Sequence, residues 1–279
     1  MRTRGPRNHN AVMNKPAAIN LEHLRALRAR GEKIACLTVY DAGFTRVLEA
    51  AGIELFIIGD SLGMVVMGYD STEPVTMEDM VYHAANVARV GKHAYRIVDL
   101  PAGSYASPAQ ALTNARRLVE EGGAHMVKLE GGVAMAEIVG TLTANAIPVC
   151  GHVGLLPQSV RQYGGYKVQG RELESAMAIL ADARALQAAG AGMLVIECVP
   201  ASLAEEITAA VSIPTIGIGA GPACDGQVLV LYDMLGISQG RQPRFVHDFL
   251  AQYGSIPAAI RGYIDAVKSG HYPAAEHSY

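Results

Sequence analysis

The sequence predicts an α/β fold, a (β/α)8 barrel (TIM barrel) with an extra N-terminal helix and C-terminal helices. Three observations predict it. Eight short apolar runs rich in β-branched residues recur along the chain, each ending abruptly in a polar residue or Gly. The runs are continuous rather than alternating, so both faces of each strand are buried, as in parallel sheets. Helical patterns fill most intervals, and no Gly-x-Gly-x-x-Gly follows the first run, which weighs against an open doubly wound sheet.

Residues 21–30 read as the extra helix ahead of the first strand. Strands are expected at 33–41 (KIACLTVYD), 55–61 (LFIIGDS), 95–101 (YRIVDLP) and 126–131 (MVKLEG). Four more are expected at 148–155 (PVCGHVGL), 193–200 (MLVIECVP), 214–221 (PTIGIGAG) and 228–235 (VLVLYDML). Thr76-Met77-Glu78-Asp79 starts a helix, its acids complementing the helix dipole. Ser107-Pro108-Ala109-Gln110 is a capping box with Pro at the first helical position, and that helix stops at Gly122-Gly123. Residues 171–189 form a long Ala-rich helix closed by Gly190, and residues 244–268 are expected to be helical and packed outside the barrel. No linker divides the chain. Residues 17–279 therefore read as a single catalytic barrel domain, and residues 1–16, with Arg2, Arg4, Arg7 and Lys15 among Gly, Pro and Asn, as a flexible arm.

Of 279 residues, 50% are hydrophobic and 18% charged, which supports a sizeable core and excludes wholesale disorder. The formal net charge is −3, with no interleaving of basic and aromatic residues, so no nucleic-acid partner is expected. No apolar run approaches the roughly 20 residues of a membrane helix, so no membrane partner is expected either. Cys36, Cys150, Cys198 and Cys224 form no Cys-x-x-Cys pair and read as buried thiols in a reducing compartment. The basic N-terminus is followed by no apolar signal-peptide core.

Function in a barrel collects at the C-terminal ends of the strands. The second run ends in Asp60-Ser61, the third in Asp99, and the fourth in Lys128 and Glu130; the fifth carries His152 and the sixth Glu197. Buried charges need partners, so this placement has a purpose. Asp60, Asp99 and Glu130 come from three consecutive strands about 4.8 Å apart, and three carboxylates sit together only with protons or a cation between them. Oxygen donors of this kind suit Mg2+ before Zn2+; salt bridges to loop Arg residues are the alternative. Lys128 and Glu130 share one side of their strand, either as a plain ion pair or with Lys128 holding a substrate carboxylate or a developing negative charge. His152 is either a hydrogen-bonded core residue or a supporting catalytic one. Glu197, expected across the barrel from the metal cluster, suits a proton acceptor, with a structural pair to an Arg as the alternative. Gly217, Gly219 and Gly221 follow strand seven, where barrels often bind phosphate, although close backbone packing explains them equally. The glycine-rich residues 164–170 read as a lid or a pocket wall.

Gly59-Asp60-Ser61-Leu62-Gly63-Met64 followed by Gly68-Tyr69-Asp70-Ser71-Thr72 resembles ketopantoate hydroxymethyltransferases. So do Leu37-Thr38-Val39-Tyr40-Asp41, Val127-Lys128-Leu129-Glu130-Gly131-Gly132 and Cys150-Gly151-His152-Val153-Gly154-Leu155. The stretches 163–171 and 216–226 and the tail Glu276-His277-Ser278-Tyr279 match as well, so the resemblance runs from about residue 17 to residue 279. It implies a Mg2+-dependent, cytoplasmic barrel in the first step of pantothenate biosynthesis. The implied reaction transfers a hydroxymethyl group from 5,10-methylenetetrahydrofolate to the 2-oxo acid 3-methyl-2-oxobutanoate, giving 2-dehydropantoate and tetrahydrofolate. By motif, it implies Asp60, Asp99 and Glu130 at the metal, Asp60, Ser61, Asp99 and Lys128 around the oxo acid, and Glu197 as proton acceptor. It also implies a homodecamer of two pentamer rings.

The chain departs from the family's usual pattern at Ala102-Gly103, Met67, Glu73 and Tyr232, which touch loops and pocket shape rather than the charged set. Another metal-dependent carbon–carbon lyase or mutase acting on a 2-oxo acid is the alternative. Such lyases usually carry a reactive Cys in a Lys-Lys-Cys-Gly-His motif, whereas here Pro148-Val149 precedes Cys150-Gly151-His152, so that Cys lacks its cationic activators. A non-catalytic scaffold is disfavoured by the complete charged set.

Overall fold

The computed structural model describes residues 18–161, 164–238, 240 and 242–279; the expected arm at 1–16 lies outside them. Helix α1 (Leu21–Ala29) precedes β1 (Ile34–Thr38). There follow α2 (Ala42–Ala51), β2 (Leu55–Ile58), α3 (Leu62–Val65), α4 (Met77–Val90) and β3 (Tyr95–Asp99). Next come α5 (Pro108–Glu120), β4 (Met126–Glu130), α6 (Ala136–Ala144), β5 (Val149–Gly154), α7 (Leu173–Ala188) and β6 (Met193–Glu197). The chain continues through α8 (Ala201–Ala210), β7 (Thr215–Ile218), β8 (Gly226–Leu229), α9 (Leu231–Met234), α10 (Phe249–Tyr253) and α11 (Ile256–Lys268). The eight strands are parallel in sequence order and close between β8 and β1, which is the expected (β/α)8 barrel.

Local signals set the helix starts. Thr76 and Asp79 exchange the reciprocal bonds of a capping box at α4. The Ser107 hydroxyl accepts the Gln110 N–H at α5, with Pro108 as its first residue. The strands bury both faces. Their outward side chains join the helices in one large core, while Ile34, Cys36, Leu55, Ile57, Tyr95, Ile97, Met126, Cys150, Met193, Val195, Ile216 and Val228 cluster together with Leu24 and Leu27 of α1. Helix α1 thus packs its apolar face onto that inner cluster. Its Arg28 pairs with Asp225 at 2.9 Å and donates to the Thr208 carbonyl at 3.0 Å.

Two expectations are corrected. The run at 228–235 is not one strand: β8 ends at Leu229 and Leu231–Met234 turns helical, the Leu231 N–H donating to the Thr38 hydroxyl at 2.9 Å. A short apolar run cannot by itself tell a strand from a buried helical turn. The stretch 244–268 is not helical throughout. Helix α10 starts only where the Asp248 carboxylate accepts the Ala251 N–H, and Gly254, at φ 76°, separates it from α11.

Candidate active site

Side chains two residues apart on a strand share a face, so the inward apolar positions predict what stands above them. On β3, Tyr95 and Ile97 point inward and Asp99 follows; on β4, Met126 is followed by Lys128 and Glu130. On β5, Cys150 is followed by His152, and on β6, Met193 and Val195 are followed by Glu197. Register brings these together, pairing Asp99 with Lys128, Glu130 with His152, and Gly154 with Glu197. All seven expected site residues, Asp60, Ser61, Asp99, Lys128, Glu130, His152 and Glu197, line one cavity of about 1310 Å3. Asp60, Asp99, Lys128, Glu130 and His152 are buried.

The Lys128 ammonium lies 3.1 Å from Asp99 Oδ2, so its ion-pair partner is the cross-strand neighbour rather than Glu130, two residues along its own strand. Asp99 Oδ2 also accepts the Asp60 N–H at 3.2 Å. Burial, then the neighbouring Asp99 and Glu130, drive the Asp60 carboxyl well above the usual carboxylate range. Burial raises Asp99 as well, against the pull of Lys128. Burial works against the charge on Lys128, but Asp99, Glu130 and Asp60 outweigh it and hold the amine firmly protonated. The Ser61 hydroxyl is 2.9 Å from that of Tyr40.

His152 occupies the middle of the set. Its Nδ1 lies 3.4 Å from Lys128 Nζ and 3.5 Å from Glu130 Oε1, and its Nε2 lies 3.2 Å from Glu197 Oε2. These are ion-pair distances to the two glutamates without hydrogen-bond alignment, so His152 Nε2 and Glu130 Oε1 stay without a hydrogen-bond partner. Burial and Lys128 push the imidazole down, yet Glu130 and Glu197 win and carry it up to about 9. Glu197, expected from sequence to stand across the barrel from the metal cluster, instead reaches it through His152. One imidazole separates it from Glu130, because strands β4, β5 and β6 are consecutive.

The backbone beside Glu197 is unusual. A Cβ at Gly154, which sits at φ 95°, would meet the Glu197 carbonyl oxygen at 2.2 Å, so only Gly allows the two strands to approach there. Cys198 adopts φ 48°, a left-handed conformation rare outside glycine. Hydrogen bonds from its N–H to Ile218 O (2.9 Å) and from Gln169 N–H to its carbonyl (2.8 Å) hold that turn. Such conformations concentrate at functional sites.

The acids meet the chemical requirement of a hard divalent cation. Asp99 Oδ1 and Glu130 Oε1 are buried carboxylate oxygens that accept no hydrogen bond. Among the described residues no three His, Cys, Asp or Glu side chains already converge as a ligand set. The three carboxylates face the same cavity, with their other oxygens engaged by the protein.

The glycines in and after β7 serve packing. A Cβ at Gly217 would meet Cys224 Sγ at 2.9 Å, one at Gly219 the Phe245 ring at 2.6 Å, and one at Gly221 the Ala201 side chain at 2.6 Å. In the glycine-rich loop, Tyr166, Lys167 and Val168 line the cavity, and the Tyr166 hydroxyl reaches Met64 Sδ at 3.3 Å. That loop is a wall of the pocket. Tyr232, one of the departures, also lines the cavity and packs against Tyr40 with ring centroids 5.9 Å apart. Sequence reasoning missed Tyr105 and Gln158, which hydrogen-bond to Asp60 and Glu130. Gln158 lies four residues past the end of β5 and carries no charge, so the sequence held no signal for it.

A family model described as Ketopantoate hydroxymethyltransferase matches residues 18–275. A 3-methyl-2-oxobutanoate hydroxymethyltransferase from Nitrosococcus oceani is 57% identical over 261 residues, covering 94% of this chain and 99% of the relative. One from Thiobacillus denitrificans is 57% identical over 262 residues, with coverage of 94% and 99%. Among solved structures, 2,3-dimethylmalate lyase, a PEP mutase/isocitrate lyase superfamily member, superposes with a TM-score of 0.56 at 18% identity, covering 77% of this chain and 81% of that one. Phosphoenolpyruvate phosphomutase from Streptomyces platensis gives a TM-score of 0.59 at 14% identity, covering 78% and 83%. At these identities the structures share the fold alone.

Proposed function

The chain belongs to the ketopantoate hydroxymethyltransferase family, a family of transferases, and from that premise we propose that it makes 2-dehydropantoate in pantothenate biosynthesis. The hydroxymethyl group comes from 5,10-methylenetetrahydrofolate, the acceptor is 3-methyl-2-oxobutanoate, and one divalent cation, Mg2+, assists. The observation that carries this reading is the inward charged set at one end of the barrel, with Lys128, three carboxylates, His152 and Glu197 in one cavity. A cavity of about 1310 Å3 exceeds the usual range for a single small ligand, which accords with a five-carbon acid and a folate bound together.

Asp60, Asp99 and Glu130 are the residues to hold the cation. When bound, it supplies Lewis-acid polarisation of the 2-oxo acid carbonyl, which acidifies the C3 hydrogen. Lys128 keeps its proton and offers a fixed positive charge to the substrate carboxylate and to the enolate oxygen as charge develops there. Glu197 accepts the C3 proton. His152, charged between Glu130 and Glu197, places its positive charge 3.2 Å from the Glu197 carboxylate. Ser61 lines the oxo-acid end of the cavity beside Asp60. The enolate carbon then attacks the one-carbon unit of the folate, and water completes the hydroxymethyl group as tetrahydrofolate leaves. The folate brings the electrophile, and the protein supplies position and electrostatics.

The lyase or mutase alternative receives no support from Cys150. Burial pushes that thiol up to about 12, so no thiolate nucleophile is available there. The same reading includes assembly as a homodecamer of two pentamer rings in the cytoplasm. In its support, Tyr82 on α4 and Leu173 and Met177 on α7 are exposed apolar side chains on outer helices. No helix among the described residues is long and apolar enough to cross a membrane. The test is an assay of 2-dehydropantoate formation with Mg2+ and 5,10-methylenetetrahydrofolate supplied or withheld singly. Product is expected only when both are present; product formed without the folate, or none with both, overturns the reading.

A further inference from the structure

Asp60 and Glu130 come from the tips of β2 and β4, which are not neighbours, yet one residue touches both. The Gln158 side-chain amide donates to Asp60 Oδ2 at 2.7 Å, and the Gln158 backbone N–H donates to Glu130 Oε2 at 3.0 Å. The second hydrogen of the same amide goes to the Leu100 carbonyl at 3.0 Å. The Leu100 carbonyl can only accept, so the sense of the amide is fixed and its oxygen must face Tyr105. The Tyr105 hydroxyl donates to that oxygen at 2.5 Å and accepts the Glu130 N–H at 3.4 Å. Gln158 therefore spends every donor and its acceptor on the site. The bonds occupy one oxygen of each carboxylate and leave Glu130 Oε1 buried without a hydrogen-bond partner.

We propose that Gln158 is the positioning residue that sets Asp60 and Glu130 for a divalent cation, with Tyr105 locking the sense of its amide. The inference rests on the reading of the acids as a cation site. Without the amide, Asp60 loses its only side-chain donor among the described residues and turns freely toward or away from the other carboxylates. Residues that orient ligands from outside the ligand set are typically worth about 10- to 100-fold in metal affinity.

The test is Mn2+ binding, followed by electron paramagnetic resonance without either substrate, with thermal melting in parallel. The parent is compared with Gln158→Met, Tyr105→Phe and Asp99→Asn. Gln158→Met keeps the side-chain volume and the backbone N–H to Glu130, so only the amide is lost. The expected result is about 10- to 100-fold weaker binding for Gln158→Met at a melting temperature close to the parent's, with a smaller loss for Tyr105→Phe and the largest for Asp99→Asn. Parental affinity in Gln158→Met while Asp99→Asn fails to bind overturns the positioning role and leaves the cation site standing. A parent that binds no Mn2+ overturns the cation site and this inference with it. Should Gln158→Met not fold, Tyr105→Phe decides, because it retains every donor to the two carboxylates and frees the amide along with the Glu130 backbone N–H; unchanged affinity there overturns the proposal.

Discussion

Ile97 and Asp99 stand two residues apart on the same inward face of β3, and they mark two halves of one barrel interior. Around Ile97 the lumen is apolar, with Ile57 and Met126 as its register neighbours. One layer up, Asp99 faces Lys128. The strands and the face are the same, but the lower layer is packed for stability and the upper layer accepts the cost of buried charge. That cost is large unless partners are supplied, which is why the upper layer is a connected set rather than scattered acids. The division predicts that the two layers fail in different ways when cut.

The largest effect should come from the upper layer. Asp99→Asn is expected to lower 2-dehydropantoate formation by more than about 100-fold, beyond the usual loss for an outer-shell partner. Its fold should survive, because Glu130 and Asp60 still compensate the Lys128 ammonium. Steady-state assay with calorimetric melting checks both halves; a large drop in melting temperature with retained turnover would make Asp99 a structural acid. Below it, Ile97→Ala should do the opposite. Removing a fully buried Ile typically costs about 2–5 kcal/mol of stability, while turnover per folded molecule should stay within a few-fold of the parent. Chemical denaturation and assay well below the melting temperature check it, and an equal collapse of turnover would erase the distinction between layers.

Much of this arrangement was legible from sequence, for a physical reason. A parallel barrel strand must be apolar on both faces, so a charge at the end of such a run is conspicuous, and Asp60, Asp99, Lys128, Glu130, His152 and Glu197 stood out on that ground. What was not legible depended on register or on loop path. Lys128 pairs with Asp99 because β3 and β4 align those two residues, a relation that no spacing along one strand contains. His152 bridges Glu130 and Glu197 for the same reason. Gln158 and Tyr105 are uncharged and lie on loops, where nothing in composition separates them from ordinary surface polar residues. The run at 228–235 misled because its apolar residues serve a strand first and a helical turn afterwards.

The central claim is that the upper layer removes a proton from the carbon next to a 2-oxo group, with Glu197 as acceptor. Proton removal can be watched without the folate. In D2O with Mg2+, the parent should exchange the C3 hydrogen of 3-methyl-2-oxobutanoate for deuterium, followed by NMR at that position. Glu197→Gln is nearly isosteric, so packing is kept and the loss is chemical. General-base assistance is typically worth about 100- to 10,000-fold, and exchange in the variant should fall by that order. Exchange at the parental rate in Glu197→Gln would contradict the account and move the search for the base to His152.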